Sequence, residues 1–130
     1  NGDITSPESL TQILTKLPRI DTVMIGRGIL QNPGLLQQLK AASADFDGAS
    51  LPSLEERLNV LKEFHNSLLA GYQVIMSGDT NTLYKMKDLW TFLSRSFESS
   101  DKYVKKIRKA TDVSDYKLAV NALFRECALK

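Results

Sequence analysis

The sequence predicts a mainly α fold: a helical bundle over residues 51–130, preceded by a short α/β segment over residues 1–50. Three observations predict it. From Leu54 onward, apolar residues recur at three- and four-residue steps, the spacing of helices with one buried face. Before Ser50, two short apolar runs alternate with helix-start signals, in the order strand, helix, strand, helix. Between the halves, Ala41–Pro52 holds Ser, Asp, Gly and Pro with little apolar periodicity, as expected of a linker or wrapping loop.

Taken in order, Asn1–Ile4 reads as the end of a strand, and Ser6 as an N-cap with Pro7 at the first helical position. Ile13, Leu14 and Leu17 make the expected inward stripe of that helix, and Pro18 closes it. Thr22–Ile25 is expected as a buried strand running into Gly26-Arg27-Gly28, and Asn32-Pro33 as the opening of the next helix. Ser53-Leu54-Glu55-Glu56 is a capping box, in which the Ser side chain and the Glu three residues later satisfy each other's free backbone donors. The helix it starts carries Leu54, Leu58, Leu61, His65, Leu68, Tyr72 and Ile75 in line, and Ser77-Gly78-Asp79 follows its end. Leu83, Met86, Trp90, Leu93 and Phe97 form a second stripe. Ser100 is placed to cap a third helix with Tyr103, Val104 and Ile107 inward, and Ser114 a fourth bearing Tyr116, Val120, Leu123, Phe124 and Cys127. Four amphipathic helices joined by short turns can pool their stripes into one antiparallel bundle.

Composition bounds the function. At 130 residues, 42% hydrophobic and 25% charged, the chain can bury a core. No apolar run reaches the roughly 18 residues of a membrane span, and the polar start has no signal-peptide layout, so a cytoplasmic location is expected. A single Cys and a single His exclude an intrachain disulfide and argue against zinc. Cys127 lies on an apolar stripe and reads as a buried, inert thiol; His65 reads as a hydrogen-bonded histidine at the edge of the core. Net charge is only +2, but residues 1–80 carry six Lys/Arg against nine Asp/Glu, and residues 81–130 eleven against six. The basic second part points to an anionic partner.

Two motifs carry a family resemblance. Asn1-Gly2-Asp3-Ile4 stands about twenty residues before Val23-Met24-Ile25-Gly26-Arg27-Gly28, and Asn32-Pro33 follows. In α/β barrels of eight strands, the loops after the last strands and the start of a following helix commonly hold a cofactor phosphate. Glycine permits close backbone approach there, and Arg adds charge-assisted hydrogen bonds. The pair of motifs, at this spacing, closely resembles the tRNA-dihydrouridine synthases, flavoenzymes that reduce uridine in tRNA. Sequence detail matches over the first forty or so residues; the helical remainder resembles the family in layout, a helical tRNA-binding domain following the barrel.

The resemblance implies that residues 1–50 are the C-terminal remnant of an FMN-binding TIM-type barrel and residues 51–130 a tRNA-binding bundle. It places Asn1 and Asp3 at the corner lining the flavin and Gly26 and Arg27 at the flavin phosphate, with NADPH as the reductant of the parent enzyme. The family's catalytic Cys and flavin-contacting Lys belong to earlier strands, so the chain is expected to be a C-terminal fragment without reductase activity or catalytic residues of its own, and without bound FMN. Val23, Met24 and Ile25 must then find cover within the chain or in a homodimer.

For RNA, Lys102, Lys105 and Lys109 project together from the short helix with Lys106 beside them, a basic ridge able to neutralise phosphates. Lys85 and Lys87 lie about 160° apart on their helix and cannot form one patch unaided. Lys87, one turn before Trp90, is placed to lay its stem on the indole and offer its ammonium to phosphate, while Trp90 itself reads as core. The expected partner is tRNA. Two alternatives stay open from the sequence: another flavin-dependent barrel oxidoreductase with a helical extension, and a helical protein-interaction module whose ridge meets an acidic surface.

Overall fold

A computed structural model of the chain describes residues 3–43 and 51–130. These residues form seven α-helices and no strand: α1 (Pro7–Lys16), α2 (Arg27–Gln31), α3 (Leu35–Ala41), α4 (Leu54–Ile75), α5 (Gly78–Leu93), α6 (Asp101–Lys109) and α7 (Val113–Glu126). A 3-10 turn, Ser94–Ser96, extends α5. No helix among the described residues is long and apolar enough to cross a membrane.

The capping box forms as expected: Ser53 N–H donates to Glu56 Oε2 at 2.7 Å and Glu56 N–H to Ser53 Oγ at 3.2 Å. This satisfies two of the free donors at the start of α4, whose 22 residues span about 33 Å. Its buried line is Leu61, His65 and Leu69, in steps of four, whereas the ends of the expected stripe, Leu54 and Ile75, are exposed. Gly78 has φ of +78°, a left-handed conformation that lets α5 start at once and fold back on α4.

The second half is the expected four-helix assembly. Trp90, Leu93 and Met86 of α5, Ile107 of α6 and Tyr116 and Leu123 of α7 are fully buried. The rings of His65, Trp90, Phe97 and Phe124 meet with centroids 5.7–6.5 Å apart. The chain's end is tied down: Phe97 and Leu129 form an antiparallel bridge, Lys130 N–H donates to Ser96 O at 2.9 Å, and Arg57 Nη2 donates to Lys130 O at 3.0 Å.

Several sequence expectations are corrected. Asp3–Ile4 and Thr22–Ile25 are irregular backbone, since a strand exists only where a neighbouring strand completes its ladder, and none does among the described residues. The α/β character expected of residues 1–50 is therefore not seen there, and Asn1 and part of the expected linker, residues 44–50, lie outside the described residues. Met24 is 62% exposed. No residue of α1 is buried, so the expected stripe of Ile13, Leu14 and Leu17 has no partner layer among the described residues. Asn32-Pro33 forms the turn between α2 and α3, where Asn32 Oδ1 accepts from Gly34 N–H at 3.2 Å, and α3 starts at Leu35. Ser100 holds the N-cap position of α6 as expected, but its side chain makes no capping bond; its hydroxyl donates to Ser94 O at 3.2 Å. Asp112, not Ser114, caps α7, accepting from Asp115 N–H at 2.8 Å.

The first part touches the bundle through α2, which packs on α5 and the 3-10 turn, with Ser96 Oγ donating to Gln31 O at 2.6 Å. Ile4 and Leu35 are buried beside Gly28, and a Cβ on Gly28 would stand 1.9 Å from Ile4 O. That glycine is required by the passage of one backbone segment across another.

Candidate nucleic-acid interface

Helix α6 is anchored by Tyr103, Val104 and Ile107, all buried. The 3.6-residue period therefore turns the rest of the helix to solvent, and Lys102, Lys105, Lys106 and Lys109 are all exposed. Arg108, missed by sequence reasoning that counted only lysines, is exposed with them and adds a fifth cation. Lys102 Nζ lies 4.6 Å from the centre of the Tyr103 ring, a cation–π contact that steadies one end of the ridge. The Tyr103 hydroxyl donates to Glu126, and this bond, then Arg125, holds the Glu126 carboxyl below the usual carboxylate range.

The other two expected RNA lysines stand apart. Lys85 is exposed and borders an apolar groove with Leu30, Phe64 and Tyr72. Lys87 is half-buried, and its Nζ donates to Ala110 O at 2.6 Å, at the C-terminus of α6. A cation there satisfies a carbonyl left free by the helix end and complements its negative pole. Lys87 thus joins α5 to α6 rather than presenting its ammonium outward.

Trp90 has no exposed surface and cannot stack on a base. Its Nε1–H donates to the Tyr116 hydroxyl at 2.8 Å, and Tyr116 lies 2.7 Å from His65 Nε2. His65 Nδ1 is 3.0 Å from Asn66 Oδ1. One assignment satisfies every atom: Tyr116 donates to Nε2 of a neutral His65, whose Nδ1–H donates to Asn66. Burial holds the His65 pKa below its ordinary value, which keeps that neutral form. His65 is thus the hydrogen-bonded core histidine expected from the sequence. Cys127 is buried as expected, its Sγ 4.0 Å from Ser99 O, and burial pushes the thiol pKa up.

Beside this network, α4 and α7 enclose an open groove of about 290 Å³ lined by Asn66, Gln73, Lys117 and Asn121, with His65 and Val120 at its base. Of these, only His65 and Val120 were singled out from the sequence, both on apolar stripes. The signal was present as polar positions at helical spacing, but such positions read as ordinary solvated surface until the two helices are brought together.

Of the expected cofactor residues, Asp3 and Arg27 meet: Arg27 Nη2 lies 2.6 Å from Asp3 Oδ1, both side chains well exposed. Gly26 precedes α2, which has no side-chain cap, and no atom lies within 4 Å of where a Cβ would stand on it. A guanidinium, uncapped amides and open space suit a phosphate oxygen, although in this arrangement the guanidinium is paired with Asp3.

Comparison with known proteins gives these observations a family. The family model described as "Dihydrouridine synthase (Dus)" matches residues 1–128. The chain is similar to tRNA-dihydrouridine synthase B of Pasteurella multocida (strain Pm70), 36% identical over 74 residues, which cover 57% of this chain and 22% of that protein. No solved structure matches the chain. With the family model spanning both the α1–α3 region and the whole helical bundle, the chain belongs to the dihydrouridine synthase family.

Proposed function

We propose that this chain is a C-terminal portion of a tRNA-dihydrouridine synthase, and that its helical bundle holds tRNA while a flavin in the barrel of the whole enzyme reduces uridine to dihydrouridine. The observation that carries this reading is the α6 ridge: Lys102, Lys105, Lys106, Arg108 and Lys109 on the solvent side of a helix whose other side is locked in the core. Rigidly spaced cations of this kind neutralise phosphates and release counterions, giving affinity with little sequence choice. The name of the Pasteurella multocida relative supports tRNA as the RNA.

In this reading Asp3, Gly26 and Arg27, with Asn1, belong to the flavin side. The Asp3–Arg27 pair supports it by joining the two corners that the family resemblance assigns to the cofactor. FMN would supply the hydride chemistry, and this chain's share of the site would be Arg27 and the amides at the start of α2 on the phosphate. The boundary between barrel and bundle is placed near Ser50. Cys127, buried under Ser99, plays no part in the reduction.

The test is binding of an unmodified tRNA transcript by the 130-residue chain across a salt series, beside the triple variant Lys102→Ala, Lys105→Ala, Lys109→Ala. Loss of three phosphate contacts should weaken binding and flatten the logarithmic salt slope by about two to three units. Equal affinity and slope in the variant would overturn the assignment of the ridge, and salt-dependent capture of an acidic protein in preference to tRNA would overturn the RNA reading.

A further inference from the structure

Resting on the proposed tRNA role, a second feature points to where an individual nucleotide is held. The groove between α4 and α7 is walled by three carboxamides, Asn66, Gln73 and Asn121, and by the ammonium of Lys117. No carboxylate lines it, whereas Asp115 lines a groove between α6 and α7, Glu8 one between α1 and the start of α4, and Asp88 the apolar groove bordered by Lys85. Carboxamides present both a donor and an acceptor, the complement of base edges and ribose hydroxyls, and the absence of negative charge admits the attached phosphate.

The groove is also pre-organised. Asn66 is the outer end of the buried chain that starts at Trp90 Nε1–H and passes through Tyr116 and His65. With its Oδ1 accepting from His65, the Asn66 amide is held in one orientation and its NH₂ group is left to donate into the groove. A buried polar chain of this kind is costly unless fully satisfied, and here its satisfaction ends on a groove side chain. On α7, Lys117 and Asn121 line this groove, whereas Asp115, Leu118 and Ala122 line a second one together with Lys106 and Lys109 of the α6 ridge. A helix is about 10–12 Å across, so one RNA strand can touch both.

We propose that the α4–α7 groove takes one unpaired RNA nucleotide, its base or ribose edge on Asn66, Gln73 and Asn121 and its phosphate on Lys117, adding discrimination to the sequence-tolerant ridge. The substituted side chains are exposed, so the fold is retained and checked by the thermal midpoint. The experiment compares binding of unmodified tRNA and of polyuridylate by the chain, by Asn66→Ala with Asn121→Ala, by Lys117→Ala, and by the ridge triple variant. The double variant should lose about tenfold in affinity for tRNA and for the unpaired polyuridylate alike, with an unchanged salt slope. Lys117→Ala should lower the slope by about one unit. Unchanged tRNA affinity in the groove variants, with the ridge variant still weakened, would overturn the groove site and leave the RNA role standing. Unchanged binding in the ridge variant as well would overturn both.

Discussion

The hydroxyl of Tyr116 on α7 lies 2.7 Å from Nε2 of His65 on α4, and it is the one atom through which the buried polar groups of α4, α5 and α7 meet. It accepts from Trp90 and donates to His65, so removing it leaves two polar groups without partners in the core. Tyr116→Phe should cost about 2–4 kcal/mol. Urea unfolding checks this, the midpoint falling with an unchanged slope; a loss under 0.5 kcal/mol would show that neither group depends on the hydroxyl.

The burial of His65 also makes stability depend on pH. Burial depresses the folded-state pKa of His65 below the ordinary 6.5. The unfolded chain therefore binds the proton more readily, and the stability contributed by neutral His65 is present above about pH 6.5 and lost as pH falls through the folded value. Denaturation midpoints measured from pH 7.5 down to 5 should fall for the native chain and fall less for His65→Gln.

The two glycines flanking Arg27 should respond unequally to alanine. At Gly28 a Cβ would stand 1.9 Å from Ile4 O and 3.0 Å from Leu35 Cδ2, and the first of these is backbone. Gly28→Ala should destabilise the packing of α2 by about 1–3 kcal/mol. At Gly26 no atom lies within 4 Å of where a Cβ would stand, so Gly26→Ala meets no such clash and should cost less than Gly28→Ala. Hydrogen exchange of α2 and α3 amides distinguishes the two.

Lys87 and Lys105 should separate stability from RNA affinity. Lys87→Ala removes the bond to Ala110 O and should cost about 1 kcal/mol with the salt slope of tRNA binding unchanged. Lys105→Ala should leave stability unchanged and lower the slope by about one unit. A slope change in Lys87→Ala would return that lysine to the RNA surface.

What the sequence by itself determined was whatever depends on neighbours a few residues away. The capping box at Ser53, the inward faces of α5, α6 and α7, and the core positions of Trp90, Cys127 and His65 were all legible because helical period and caps are local. The family was legible too, since Asn1–Ile4 and Val23–Gly28 keep recognisable order and spacing whatever their backbone does. Tertiary structure alone decided the rest. Asp112 rather than Ser114 starts α7, where Val113 is buried and its N–H reaches Asp79 Oδ2 at 3.2 Å. Thr22–Ile25 has strand composition, but a strand requires a partner, and none stands beside it among the described residues. Lys87 looked like a surface cation until α6 brought a carbonyl to its ammonium. The groove of Asn66, Gln73, Lys117 and Asn121 joins residues some fifty apart in sequence, and only the packing of α4 on α7 makes them one site. Helical period assigns each residue a face, whereas the element that meets that face is set by packing across the whole chain.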